Sequence, residues 1–147
     1  MKTFTPVFAD YESRVRSSFD QQGIMKTIGA KLTKISPGEV HIKLPFSQAV
    51  TQQHGYIHAG IITTVVDTAC GYAANTLMPA HSEVLTVEYK VNFLSPANGE
   101  KMVGIGKVVK AGRSITVCSG EVWVFNNGDK NLVAIMQTTM MTISGKG

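Results

Sequence analysis

One carboxylate stands in the middle of a segment that is otherwise small and mostly apolar. Residues 51–80 read TQQHGYIHAGIITTVVDTACGYAANTLMPA, and Asp67 is their one formally charged side chain. Burying a lone carboxylate costs free energy unless a partner compensates it. Two interpretations remain open: a structural aspartate held by a threonine hydroxyl or a backbone amide, or a catalytic carboxylate beside a ligand.

The segment around Asp67 has the spacing of a helix. Apolar residues recur at steps of three and four, and Pro79 stops the pattern, so we predict a helix at about 59–77. On that helix Asp67 shares its face with small side chains, which leave room for a ligand. These side chains are Thr63, Thr64, Cys70 and Gly71.

The start of this helix offers a second chemical group. The amides of Ala59 and Gly60 are unpaired donors at the positive end of the helix dipole, where they can hold a developing oxyanion. Asp67 lies eight residues beyond Ala59, which is about 12 Å along the axis, so one carbonyl cannot touch both. If both act on one substrate, they come from two antiparallel copies of the helix across a two-fold axis.

The rest of the chain predicts a sheet around this helix. An amphipathic helix is expected at about 8–22, closed by Gly23. Strands are expected at 28–35, 39–46, 85–93, 101–110, 114–125 and 132–143, and their short connections force antiparallel pairing. The helix is apolar on nearly every side, so the sheet must curl around it or a second subunit must cover it. We therefore predict a single α+β domain over residues 1–147, an antiparallel sheet wrapped around a long central helix.

Composition excludes several classes of function. Hydrophobic residues make up 44% of the 147 and charged residues 16%, which suits one folded domain. The net charge is +4, but the basic residues are scattered singly, so no nucleic acid partner is expected and an anionic small molecule fits better. No stretch reaches the ~20 apolar residues of a membrane span. Cys70 and Cys118 are expected to be free and buried, as in a reducing compartment, so we expect a cytoplasmic protein.

The segment GYIHAGIITTVVDTACGYAA resembles the signature of hotdog-fold acyl-CoA thioesterases of the phenylacetic-acid-degradation, or PaaI-like, family. Gln52, Gly55, His58 and Asp67 match that pattern at the right spacing, whereas Ala59 stands where the family usually has a glycine. TVEYKVNFLSPANGE and VVKAGRSITVCSGEVW are similar to two further segments of the family. The resemblance covers residues from about 25 to 143.

The resemblance implies a hotdog fold, a homodimer that pairs into a dimer of dimers, and hydrolysis of an acyl-CoA thioester without cofactor or metal. The Ala59 amide, aided by His58, would polarise the thioester carbonyl. Asp67 from the facing subunit would act as general base on water or as nucleophile. Gln52 would orient the water or the carbonyl, and Thr86 would help to hold the water.

Five further residues are candidates for binding the substrate. Gly60 would let it approach the backbone closely, and Gly55 is a candidate from its match to the family pattern. Lys90, Arg113 and Ser114 would contact coenzyme A, or else are solvated surface groups. The acyl group itself, whether aryl, medium or long, is not legible in the sequence.

Two other functions on this scaffold, a metal pair and a nucleotide loop are the alternatives to a thioesterase. A non-catalytic acyl-CoA binding module on the same scaffold is the main one. A hotdog hydratase or dehydratase is disfavoured, because the sites of those enzymes pair a histidine with a carboxylate across the dimer in a different motif. His54 and His58 stand four residues apart but have no third metal ligand, and GIGKVVKAG lacks the glycine spacing of a nucleotide loop.

Overall fold

A computed structural model describes residues 3–144, which form one six-stranded antiparallel sheet and three α-helices. The helices are α1 (Tyr11–Asp20), α2 (Gly23–Ile28) and α3 (Ala59–Asn75). The strands are β1 (Lys31–Ser36), β2 (Glu39–Pro45), β3 (Ser82–Phe93), β4 (Lys101–Ala111), β5 (Ile115–Asn126) and β6 (Asp129–Ser144). They lie in the order β1-β2-β4-β5-β6-β3, so β3 is an edge strand. None of the helices in residues 3–144 is long and apolar enough to span a bilayer.

Helix α3 packs against one face of the sheet, and the main core lies between them. Its inner side is fully buried through Val65, Val66, Ala69 and Ala73. The strands oppose it with buried apolar side chains that alternate along β2, β4 and β5. The predicted antiparallel sheet around a long central helix is therefore what the chain forms.

Glycines in the sheet let α3 come unusually close. A Cβ atom added at Gly106 would collide with the backbone of Ala69 and Cys70, and one at Gly104 would lie 2.9 Å from Cγ1 of Val65. Atoms that close cannot coexist without movement of the helix. The Gly-Ile-Gly sequence in β4 is therefore a packing feature, in agreement with its rejection as a nucleotide loop.

Gly106→Ala is expected to lower the free energy of unfolding by about 1–3 kcal/mol or more, because the methyl group has no space between β4 and α3. Urea denaturation followed by circular dichroism measures the change. Gly23→Ala is the matched control, since no atom lies within 4 Å of its added Cβ. Equal stability of the two variants would contradict the close contact.

The N-terminal region departs from the prediction of one helix at about 8–22 closed by Gly23. Helix α1 ends at Asp20, and Gly23 begins the second helix α2 instead of ending the first. Gln22 between them has an extended backbone (φ −77°, ψ 110°), which redirects the chain. Helix α2 is retained because Met25 and Ile28, three residues apart, are both buried in the core.

The first strand was also predicted too early, at residue 28. Ile28 is the last residue of α2, and Gly29 follows in the left-handed conformation at φ 80°. That conformation ends a helix and suits glycine. The strand therefore begins at Lys31.

A β-bulge in β3 places Thr86 on the opposite face of the strand from the one predicted. The alternation in residues 85–93 predicts Thr86 on the same face as Glu88 and away from the apolar residues. In the structure the register shifts between Thr86 and Glu88, where the extra residue forms a bulge. Thr86 is paired with buried Met140 and Tyr89 with buried Thr138, so both lie on the face that carries α3. The bulge thus turns a hydroxyl toward the helix.

Candidate active site

The start of α3 presents one free amide. His58 caps the helix: its Nδ1 accepts a hydrogen bond of 2.8 Å from the Gly60 amide. Within residues 3–144 the Ala59 amide has no acceptor, and Ala59 is exposed. Of the two amides singled out in the sequence, only that of Ala59 is therefore available to a substrate.

His58 provides a second donor beside this amide. Because Nδ1 accepts the Gly60 hydrogen bond, a neutral imidazole carries its proton on Nε2. A Cβ at residue 60 would lie 3.1 Å from Nδ1, so the glycine makes room for the capping ring. Gly60 therefore contributes to the site indirectly: its amide and its lack of a side chain hold the His58 ring in the capping position.

The loop before α3 is shaped by Gln52 and Gly55. The Oε1 atom of Gln52 accepts hydrogen bonds from the amides of His54 and Tyr56, and Gly55 takes a left-handed conformation at φ 85°. Such a turn favours glycine. Oε1 already accepts these two hydrogen bonds. The atom that the Gln52 side chain can offer to a ligand is therefore its amide nitrogen Nε2, which has no acceptor within the described residues.

A cavity of about 530 Å³ opens at this helix start. Its polar lining comes from Gln52, Gln53, His58, Ser95 and the backbone of Ala59. The rest of its lining is largely apolar and comes from Tyr56, Ile57, Ile62, Phe93, Leu94, Pro96 and Ala97. The end of β3 thus meets the start of α3 in a site large enough for part of a small-molecule ligand.

Asp67 lies two turns further along α3 and is half-buried. The Thr86 hydroxyl donates a hydrogen bond of 2.8 Å to its Oδ1 atom. Burial raises the pKa of Asp67 above its ordinary value, and the Thr86 hydrogen bond opposes that rise. A carboxylate with a raised pKa is a better proton acceptor near neutral pH.

Thr86→Val is expected to move the acidic limb of the kcat/KM profile to higher pH. The lost hydrogen bond stabilises the ionised carboxylate, so its removal raises the pKa of Asp67 further and leaves less active base at a given acidic pH. Activity should therefore fall more at pH 6 than at pH 9. Thr86→Ser keeps the hydroxyl and serves as control. Parallel losses at both pH values would contradict this role.

A second cavity of about 230 Å³ adjoins Asp67, and its lining includes Ser18, Gln22 and Tyr72, which the sequence analysis does not place at the site. The Tyr72 hydroxyl receives a hydrogen bond of 2.7 Å from Nε2 of Gln22 and lies 3.0 Å from Oγ of Ser18. Ser18 and Gln22 are about fifty positions away in the chain, so spacing alone could not place them here. The available signal was Tyr72 itself, the one hydroxylated aromatic residue in an apolar helix.

The remaining predicted substrate contacts lie elsewhere. Lys90 is paired with Gln137 on the sheet face opposite α3. Arg113 and Ser114 are exposed in the turn between β4 and β5, and the Ser114 carbonyl accepts a hydrogen bond from the Thr142 amide. The structure thus groups Gln52, His58 and Ala59 in one place and Asp67 with Thr86 in another. In residues 3–144 no three His, Cys, Asp or Glu side chains are grouped as metal ligands would be.

The two cysteines are both free and buried, as predicted. Burial raises the pKa of Cys118 to about 12 and that of Cys70 well above its usual value. Both thiols therefore remain protonated and unreactive at neutral pH.

Comparison with known proteins identifies the family. Residues 54–129, just over half of the chain, match the model of the Thioesterase superfamily. The chain belongs to this superfamily. A crystal structure of a thioesterase family protein from Silicibacter pomeroyi has 47% sequence identity and a TM-score of 0.90, covering 92% of this chain and 99% of that one. The predicted hotdog-fold thioester hydrolase is thereby confirmed.

Two more distant proteins are similar as well. The PaaI protein of the phenylacetic acid degradation operon of Escherichia coli shares the fold at a TM-score of 0.82 and 17% identity, over 93% of this chain and 96% of its own. A 1,4-dihydroxy-2-naphthoyl-CoA hydrolase of Listeria monocytogenes is 22% identical over 95 residues, which is 65% of this chain and 77% of that protein. The resemblance to PaaI-like thioesterases is thus reflected in the fold.

Proposed function

We propose that this thioesterase hydrolyses acyl-CoA thioesters as a dimer, with each site built from the Ala59 amide of one subunit and Asp67 of the other. The observation that carries the proposal is the placement of a free amide and a carboxylate of raised pKa on one helix, eight residues apart. That separation is about 12 Å, too far for one thioester carbonyl. Two antiparallel copies of α3 would bring the groups together.

The edge strand β3 supports such a dimer. It is twelve residues long and has no neighbouring strand on its outer edge within the part of the chain that the structure describes. Along this strand Val87, Tyr89 and Phe93 expose 57%, 48% and 46% of their surface, respectively. A long apolar edge of this kind favours pairing with another strand. Antiparallel pairing of two β3 strands about a two-fold axis would place their α3 helices side by side in opposite directions.

The uncovered side of α3 also suits a second helix. Its side chains are small, and its threonines satisfy their own hydroxyls: Thr63, Thr64 and Thr68 each donate to the carbonyl four residues earlier. Such a surface can be approached closely without leaving polar groups unpaired. On this side of α3, Asp67 keeps one carboxylate oxygen, Oδ2, that accepts no hydrogen bond from residues 3–144.

In the proposed reaction Asp67 acts as general base. It takes a proton from water as the water oxygen attacks the thioester carbonyl carbon, and the developing oxyanion is held by the Ala59 amide and Nε2 of His58. Collapse of the tetrahedral intermediate breaks the carbon–sulfur bond, and the thiolate takes the proton from Asp67. The products are the free acid and coenzyme A. Gln52 would orient the carbonyl or the water through the Nε2 atom of its side-chain amide.

Coenzyme A as the leaving group has separate support. The Listeria relative is named for a CoA thioester. The net charge of +4 suits an anionic substrate, and Arg113 and Ser114 in the exposed β4–β5 turn remain our candidates for contacts with it. The two free thiols suit a reducing compartment such as the cytoplasm.

Mixing two inactive variants tests the composite site. Ala59→Pro removes the amide and Asp67→Asn removes the base, so a heterodimer of the two holds one intact site and one doubly altered site. Random pairing makes half of the dimers mixed, and activity should return to about a quarter of the wild-type value. Coenzyme A release is followed with a thiol reagent.

The same experiment separates the alternatives. Two inactive variants that stay inactive after co-expression would place both groups of a site in one subunit and overturn the composite arrangement. Wild-type protein that binds acyl-CoA thioesters without releasing coenzyme A would instead be the non-catalytic binding module.

A further inference from the structure

The end of α1 forms one wall of the cavity beside Asp67. We propose that this wall selects the acyl group: Gln22 and Ser18, ordered on the Tyr72 hydroxyl, bind a hydroxyl group carried at the far end of a short, uncharged acyl chain. The inference rests on the proposed function and names its substrate class. Ser18, Gln22 and Tyr72 are specificity residues in it, and the reaction itself stays with Asp67 and Ala59.

Helix α1 is held firmly enough to serve as such a wall. The Arg14 guanidinium donates hydrogen bonds to the carbonyls of Asn75 (2.6 Å), Met78 (3.0 Å) and Pro79 (2.7 Å), at and just beyond the C-terminal end of α3. A cation at this end also complements the helix dipole. Phe19 anchors the same helix in the core with 8% of its surface exposed. The wall residues therefore have fixed positions relative to Asp67.

The lining of this cavity is unsuited to a plain hydrocarbon. Hydrogen-bonding side chains dominate it, and Val84 is its one aliphatic side chain. The members that matter here are Ser18, Gln22, Asp67, Tyr72 and Glu83. A hydrocarbon tail would strip water from these groups and offer no replacement, which costs about 1–3 kcal/mol for each one left unpaired.

The hydrogen-bond pattern indicates what the far end of the acyl group must offer. Gln22 donates from Nε2 to Tyr72, and its Oε1 accepts no hydrogen bond from residues 3–144. A hydroxyl donor fills that acceptor and can exchange a hydrogen bond with Ser18 as well. A terminal carboxylate would face two acidic side chains, Asp67 and Glu83, and would be repelled.

The volume limits the size of the acyl group. A protein cavity of roughly 150 Å³ holds one benzene molecule. The 230 Å³ beside Asp67 thus accommodates about one substituted ring or a chain of six carbons.

A pair of matched substrates tests the proposal. Hexanoyl-CoA and 6-hydroxyhexanoyl-CoA differ in the terminal hydroxyl alone, and the wild type should hydrolyse the hydroxylated one with a kcat/KM about tenfold higher or more. Gln22→Leu should reduce that ratio to near one, and Tyr72→Phe should lower it. Gln21→Leu is the matched control, because Gln21 is exposed and does not line the cavity. Its ratio should equal that of the wild type.

A cavity-filling variant tests occupancy independently. A Cβ at Gly71 would lie 3.9 Å from Cε of Met140, its nearest neighbour outside the helix backbone, so Gly71→Ala narrows the cavity without strain and favours the helix. It should lower kcat/KM several-fold for both six-carbon substrates and leave acetyl-CoA unchanged. Equal effects on acetyl-CoA and the longer substrates would overturn occupancy of this cavity.

The outcomes distinguish failure of the proposed acyl-group selection from failure of the proposed thioesterase function. A wild-type ratio near one, or a ratio that Gln22→Leu leaves unchanged, overturns the specificity wall while the thioesterase mechanism stands. Absence of coenzyme A release from hexanoyl-, 6-hydroxyhexanoyl- and acetyl-CoA overturns the proposed function itself.

Discussion

Asp67→Asn is expected to lower kcat/KM about 10³-fold for every acyl-CoA that the wild type hydrolyses, while the protein remains folded. A positioned general base contributes roughly 10²–10⁴-fold to such a reaction, and an amide cannot take up the proton. Asparagine keeps the shape of the side chain and can still accept the Thr86 hydrogen bond. The loss should therefore be in chemistry, with KM nearly unchanged.

Stability measurements on the same variant check that its fold is intact. Burial raises the folded-state pKa of Asp67, so folding takes up a proton between the unfolded and folded pKa values, and Asp67 makes the protein less stable as pH rises through that interval. Asp67→Asn lacks this penalty and should be at least as stable as the wild type at pH 8, with the difference vanishing at acidic pH. Asp20→Asn, at the exposed end of α1, is the control. Retained activity in Asp67→Asn would rule out a catalytic carboxylate.

Helix α3 was predicted well because its signals are local. The 3.6-residue period and Pro79 both lie within or next to the segment, and the helix runs from Ala59 to Asn75 against the predicted 59–77. The hypothesis of two helix copies also uses local arithmetic, since rise per residue alone separates Ala59 from Asp67, and it stays a prediction.

The other features of the site depend on contacts between residues far apart in the chain, which the spacing of residues in the sequence does not encode. Thr86 was expected near the carboxylate from family resemblance, yet the alternation of β3 put it on the wrong face, because the bulge is set by pairing with β6. Tyr72 joins Gln22 only after α1 docks on α3 through Arg14. Lys90, a candidate for coenzyme A, lies on the sheet face opposite the helix, as the alternation beyond the bulge predicts.

Because of the way α3 is capped, a substitution can remove the Ala59 amide without removing another hydrogen-bond donor of the site. Gly60 gives its N–H to His58, so a substitution at residue 59 alone removes the free backbone donor. Ala59 is the first residue of the helix, where proline is tolerated because that N–H has no partner within the helix. His58 already has the extended conformation (φ −60°, ψ 136°) that a following proline requires.

Ala59→Pro is therefore expected to lower kcat by about 10²–10³-fold with the helix and the fold retained, as for loss of one oxyanion-hole donor. Steady-state kinetics measure the loss, and far-ultraviolet circular dichroism with size-exclusion chromatography checks the fold. Ala59→Gly keeps the amide and should stay within a few-fold of the wild type. If the proline variant were as active as the glycine variant, the backbone amide would not hold the oxyanion, and Nε2 of His58 would be the donor left at this helix start.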